Sequence, residues 1–204
     1  MEKTLFQSRP TFGGHAMPTL AEHNRQADAA YKEAAPHEHW IDELKDGRHV
    51  LIRPLTAADR EREYDFIKNL SPESRHARFL GEINEPGKRL MDQLMNVDNQ
   101  HRMAFIALVH DNGKLIEIGV ARYAEAKEHE CECAVTVADD WQQLGLGYIL
   151  MQHLIKAARA NGFKRMYTID GATNSRLRDL TRDLGFHSVI DPNDSTQVIS
   201  SIEL

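Results

Sequence analysis

Cysteine is nearly absent from this 204-residue sequence, which holds only Cys131 and Cys133. Two positions apart on a strand, their side chains share a face about 7 Å apart, too far to bridge, so no disulfide framework is available. With His129 they make an alternating His-x-Cys-x-Cys face, yet no fourth ligand stands nearby. Two buried small thiols, and no metal, are the expectation there. Long apolar runs are missing too. None approaches the roughly 20 residues of a membrane span, and the N-terminal stretch is too polar for a secretory signal. A cytoplasmic protein with no membrane partner is expected. Nor is there an excess of basic charge: the formal net charge is −6, which argues against nucleic acid as a partner. Internal repeats and low-complexity tracts are also lacking. What is present, 41% apolar and 27% charged residues, is ordinary for a globular chain, and the length suffices for one domain with a real core.

Residues 1–39 read differently from the rest. Pro10, Gly13-Gly14, Pro18 and many polar residues leave few apolar anchors. A flexible arm, or a helix over Leu20 to Ala35 laid on a neighbouring surface, is expected. His37-x-His39 is not expected to hold a functional metal.

A single domain is expected over 40–204. His49 to Leu55 is strand-like, and Thr56 caps a helix from Arg60 to Leu70 with Tyr64, Phe66, Ile67 and Leu70 on one face. Ser71 caps a short helix with Pro72 in its first turn, and Lys88 to Met95 forms another. Met103 to Val109 and Leu115 to Ala124 flank an Asp111-Asn112-Gly113 hairpin turn, and Glu130 to Val137 is the next strand. Helices starting at Gly145 and Asn174 then alternate with strands at Arg165 to Ile169, Phe186 to Ile190 and Gln197 to Ile202. This order predicts the α/β class, with a mixed sheet and helices on both faces.

The segment Gln142-Gln143-Leu144-Gly145-Leu146-Gly147 follows a strand and opens a helix. A helix start presents unpaired N–H groups and the positive end of its dipole, which suits it to hold phosphate. A dinucleotide fold would want a third glycine, where Leu150 stands, and the antiparallel first half argues against that fold. A nucleotide-hydrolase loop would want a Lys followed by Ser or Thr, and neither is present.

Together these segments resemble the GNAT superfamily of acyl-CoA-dependent N-acetyltransferases. The hallmark Gln/Arg-x-x-Gly-x-Gly/Ala is matched by Gln142, Gly145 and Gly147, and the later Asn-to-Gly-Phe signature by Asn174, Gly185 and Phe186. A narrower resemblance is to the GNAT domain of bacterial Pat-type protein lysine acetyltransferases. It rests on Leu70-Ser71-Pro72-Glu73-Ser74-Arg75 with Arg78-Phe79, on Met103-Ala104-Phe105, and on Gly119-Val120-Ala121-Arg122-Tyr123. It also rests on Glu132-Cys133-Ala134-Val135, which aligns Glu132 with the general base proposed for that type. Pat proteins often carry further domains; this sequence is expected to stand alone.

The resemblance implies a GNAT fold: a mixed, mostly antiparallel sheet of six to seven strands with a central splay and helices on both faces. It implies acetyl-CoA as co-substrate and no metal. Val135, Thr136 and Val137 would lie where the strand splays and pairs with pantetheine, supplying an N–H to the oxyanion that acyl transfer develops. Gln142, Gln143, Leu144, Gly145, Leu146, Gly147 and Tyr148 would wrap the pyrophosphate, and Asn174 would contact the pantetheine arm or order its helix. The helix from Ser71 would lie where substrate enters. Two positions depart from the family pattern. The phosphate loop has no Lys or Arg inside it, leaving most of the binding to backbone and dipole, and Thr181 stands where a proton-donating tyrosine is common.

The chemistry accounts for Glu132. A lysine ammonium of pKa near 10.4 is only about one part in 2,500 neutral at pH 7, so something must take its proton before attack on a thioester, and a carboxylate facing the cleft can do so. Glu128 and Glu130 share its alternating face as rivals. The expected acceptor is a protein lysine. A small amine such as a polyamine or aminoglycoside, and a module that senses acyl-CoA without turnover, stand as alternatives.

Overall fold

A computed structural model describes residues 19–34, 38–79, 81 and 85–204. Pro10, Gly13-Gly14, Pro18 and His37 lie outside the described residues. Among the described residues, eight strands form one sheet: β1 (Trp40–Glu43), β2 (His49–Pro54), β3 (Arg102–Asp111), β4 (Lys114–Lys127), β5 (Glu130–Val137), β6 (Arg165–Gly171), β7 (His187–Asp191) and β8 (Asp194–Glu203). Their spatial order is β1-β2-β3-β4-β5-β6-β8-β7, and every neighbouring pair is antiparallel except β5 and β6.

The sheet therefore has eight strands where six to seven were expected. The additional β1 pairs Trp40 through Glu43 with Ile52 through His49. Four residues are too few to display a period. What holds β1 is tertiary: the Trp40 indole meets Phe105 edge-on at 5.4 Å and lies against the His153 ring at 4.3 Å.

Among the described residues, six helices flank the sheet: α1 (Leu20–Ala34), α2 (Arg60–Asn69), α3 (Pro72–Phe79), α4 (Lys88–Leu94), α5 (Leu146–Ala160) and α6 (Ser175–Asp183). Helix α5 buries Leu146, Leu150, Met151 and Leu154 against one face, beside Phe105, Tyr123, Cys131 and Cys133. Phe66 and Ile67 of α2, Met91 and Leu94 of α4 and Ala27 of α1 cover the other face with Leu51, Ile106 and Val120. Helix α1 is tied down at Asn24, which donates to Gly47 O at 2.8 Å and accepts from His49 N–H at 3.2 Å. The two thiols are free and buried, and burial pushes Cys131 up to about 12.

Thr56 caps a short 3₁₀ turn, Ala57–Asp59, that leads into α2. Asp59 is fully buried there, accepting from both Arg53 terminal nitrogens at 2.7 Å and from Arg62 at 2.7 Å. Burial alone would raise its carboxyl, but the Arg53 and Thr56 hydrogen bonds outweigh it and bring it down to about 2. Deeper under α2, Glu63 pairs with Arg122, and Glu117 is buried beside them. Burial, then the neighbouring Glu63 charge, pushes the Glu117 carboxyl well above the usual range.

The feature that positions the site is the parting of β5 from β6. They pair only at Glu130, Cys131 and Glu132, opposite Arg165, Met166 and Tyr167. Strand β5 continues to Val137 against β4 alone, while β6 continues to Gly171 against β8 alone. The central splay is present.

Candidate functional site

The gap opened by the splay is lined by Cys133, Ala134 and Val135 of β5, Thr168 of β6, Met151 of α5, and Leu177, Leu180, Thr181 and Leu184 on and just past α6. It is an apolar slot whose β5 wall is a free strand edge. Val135 and Val137 pack toward the α5 core, while Thr136 faces the opposite way, buried, with its hydroxyl unpartnered.

The loop Gln142 to Gly147 stands at the wide end of the gap. Gln143 has φ +64° and Gly145, the N-cap of α5, has φ +88°. That left-handed residue turns the chain so that its amides converge ahead of the helix. Among the described residues, the N–H groups of Gln143, Leu144, Gly145, Leu146, Gly147 and Tyr148 have no hydrogen-bond partner. Six successive free N–H donors at a helix N-terminus are an anion cradle.

Gln142 is different. Its N–H donates to Asp139 O at 3.3 Å. Its side-chain amide donates to Ser74 Oγ at 3.2 Å and to Val137 O at 3.2 Å, and its carbonyl accepts from Arg176. The hallmark glutamine thus fastens β5, α3 and α6 around the loop. Asp139 works alongside it, accepting from Ser71 N–H and Oγ at 2.8 Å and from Ser74 Oγ at 2.7 Å. Burial raises the Asp139 carboxyl, but these donors outweigh it and hold it below the usual range.

A lysine from elsewhere in the chain lies beside the loop that has none of its own. The turn between β1 and β2 donates Lys45 N–H to Leu144 O at 3.1 Å and lays the Lys45 stem beside Gly145, where an added Cβ would lie 3.5 Å from it. Lys45 is exposed and has no ion pair among the described residues. The Lys45 stem thus reaches the loop from 100 positions away. Removing it as Lys45→Ala is expected to weaken acetyl-CoA binding about fivefold, the worth of roughly 1 kcal/mol for one exposed ion pair with a phosphate. Calorimetric titration at low and high salt checks this; an affinity and salt dependence equal to the wild type would remove Lys45 from the site.

Asn174 caps α6, its Oδ1 accepting from Leu177 N–H at 3.2 Å. Thr181 is 1% exposed, and its hydroxyl donates to Arg178 O at 3.1 Å. That hydroxyl is committed inside the helix.

The three carboxylates of the β5 face part company. Glu128 projects into solvent near His129 at 3.7 Å, and Glu130 pairs with Arg165 at 3.1 Å. Glu132 is exposed, with no hydrogen bond or ion pair among the described residues, at the last rung before the strands separate. Beside it on the same face, burial raises the Tyr167 phenol, and the charges of Glu132 and Glu130 raise it further.

Comparison with known proteins agrees with this geometry. The family model described as Acetyltransferase (GNAT) family matches residues 65–186, more than half of the chain. Acetyltransferase PA5475 of Pseudomonas aeruginosa is 58% identical over 168 residues, covering 82% of this chain and 90% of that protein. Acetyltransferase Pat of Mycolicibacterium smegmatis is 27% identical over 70% of this chain, which spans 43% of Pat's length. Among solved structures, the GNAT domain of S. lividans PAT superposes with a TM-score of 0.74 at 23% identity, covering 81% of this chain and 97% of that domain.

Proposed function

The chain belongs to the acetyltransferase (GNAT) family, and from that premise we propose that it moves the acetyl group of acetyl-CoA onto a protein lysine in the cytoplasm, by direct attack within a ternary complex. One observation carries the reading. The splay of β5 from β6 sets an anion cradle at its wide end and an unpaired carboxylate, Glu132, at its closed end.

The residues fit the co-substrate. Gln143 to Tyr148 would hold the pyrophosphate through backbone N–H groups, with Lys45 adding charge. The apolar slot between β5 and α6 would take the pantetheine arm along the free edge at Val135 to Val137, with Asn174 ordering α6 behind it. When bound, acetyl-CoA supplies an activated thioester. Glu132 takes the proton from the acceptor ammonium, directly or through a water, and delivers a neutral amine. Thr181 supplies no proton, its hydroxyl being buried and bonded. A thiol of pKa about 8.5 needs none, since it leaves readily as thiolate. The acceptor enters between α3 and β5, the face on which Glu132 stands.

The test mixes the protein with acetyl-CoA and either a lysine-rich protein or a polyamine, and follows free thiol. Release with the protein acceptor is expected. Tight binding without release would sink the enzyme reading in favour of a sensor, and faster release with the polyamine would move the acceptor to the small-amine class.

A further inference from the structure

The arginines around the α2–α3 face are paired, with one exception. Arg53 and Arg62 hold Asp59, Arg122 holds Glu63, Arg165 holds Glu130, and Arg75 donates to Lys68 O and Leu70 O. Arg78, in the last turn of α3, has no hydrogen bond or ion pair among the described residues. Its only contact of this kind is its guanidinium over the adjacent Phe79 ring at 4.9 Å.

Its place follows from how α3 is moored. Ser71 and Ser74 fix the helix start to Asp139, just past the end of β5. Helix α3 packs against β5, and Arg78 in its last turn comes within range of the charges of Arg122, Glu63 and Glu132. Arg78 and Glu132 act on each other and on the Arg122–Glu63 pair. Burial, then the Arg122 charge, brings Arg78 down to about 10, with Glu63 and Glu132 opposing, and it stays a cation at neutral pH. An unpaired guanidinium and an unpaired carboxylate thus stand near each other where α3 packs on β5, without joining. A guanidinium half-buried without an anion forgoes the charge-assisted bonds it is built to make.

The geometry points to an acceptor that carries both signs: a primary amine for Glu132 and, on the same molecule, a carboxylate for Arg78. This deepens the transferase function above and rests on it for the role of Glu132. A simple polyamine would bring cation against cation at Arg78. The carboxylate has two possible sources, the α-carboxylate of a free amino acid or an Asp or Glu flanking a peptide lysine.

The experiment pairs each acid with its neutral twin: an amino acid against its amide, and a blocked Asp-Lys dipeptide against Asn-Lys. Binding to the CoA-loaded protein is measured by calorimetry, and turnover by thiol release. At least tenfold preference for the acid is expected in one arm, which identifies the source. The preference should appear in KM more than in kcat, fall to about one in Arg78→Met, and return in part in Arg78→Lys. A ratio near one in both arms for the wild type, or a preference kept by Arg78→Met, overturns the assignment. Acid preference in binding with no thiol release would sink the transferase function and leave Arg78 as the carboxylate site; thiol release without preference would do the reverse.

Discussion

Glu132→Gln is expected to lower kcat/KM at pH 7 by about 10²–10⁴-fold, the usual worth of a positioned general base, with the acetyl-CoA dissociation constant within twofold of wild type. The reasoning starts from the acceptor. At pH 7 its ammonium outnumbers the free amine by about 2,500 to one, a deficit of roughly 4.6 kcal/mol. Glutamine keeps the shape and exposure of Glu132 but cannot accept the proton. The variant must instead draw on the small neutral fraction in solution, so its rate should climb about tenfold per pH unit toward the acceptor's own pKa. Glu132 is exposed and lies at the closed end of the splay, away from the amides of Gln143 to Tyr148, so cofactor affinity and folding should be spared. Rates from thiol release between pH 6 and 9, with calorimetry for the cofactor, decide it. An unchanged rate at pH 7 rejects Glu132 as the base. Glu130, two residues away on that face, is paired with Arg165, and Glu63 is 1% exposed and paired with Arg122, so neither is well placed to replace it.

The second large effect is at Gly145. Gly145→Val is expected to weaken acetyl-CoA binding by roughly 30–100-fold. A β-branched residue at φ +88° carries a strain of about 1–2 kcal/mol, and the loop will relieve it by rotating away. That rotation takes the Gly145 and Leu146 amides off their common focus, and each charge-assisted hydrogen bond lost costs about 1.5–3 kcal/mol. The side chain would also press on the Lys45 stem, which a Cβ alone already meets at 3.5 Å. Gly162 provides the control. It has φ +87°, nothing within 4 Å of an added Cβ, and sits at the far end of α5. Gly162→Val should lose comparable stability yet keep its affinity. Equal affinity losses in both variants would mean that general destabilisation, not the anion cradle, is responsible.

Much of this architecture could be read in one dimension because the forces behind it are local. The alternation in Glu130 to Val137 marks β5 at the bounds observed. Gly162 and Gly185, both at positive φ, stand just past the helices they end. The spacing of Leu177, Leu180 and Leu184 shows which side of α6 turns to the slot. These are statements about period and backbone sterics, complete within a dozen residues. Other features had no such signal. Trp-Ile-Asp-Glu at 40–43 is too short to declare itself a strand until Phe105 and His153 supply the surface it packs on.

The sequence by itself determined the class of fold, the glycine turn that opens α5 and the strand that carries Glu132, because each rests on neighbours along the chain. Only the tertiary structure decided which charges are free to act. It neutralised Glu130 with Arg165, bound Thr181 into its own helix, brought the Lys45 stem to Gly145 and left Arg78 and Glu132 unpaired where α3 packs on β5. Pairing of charges depends on separations of a few ångströms between residues tens of positions apart, and those distances exist only once the sheet has formed.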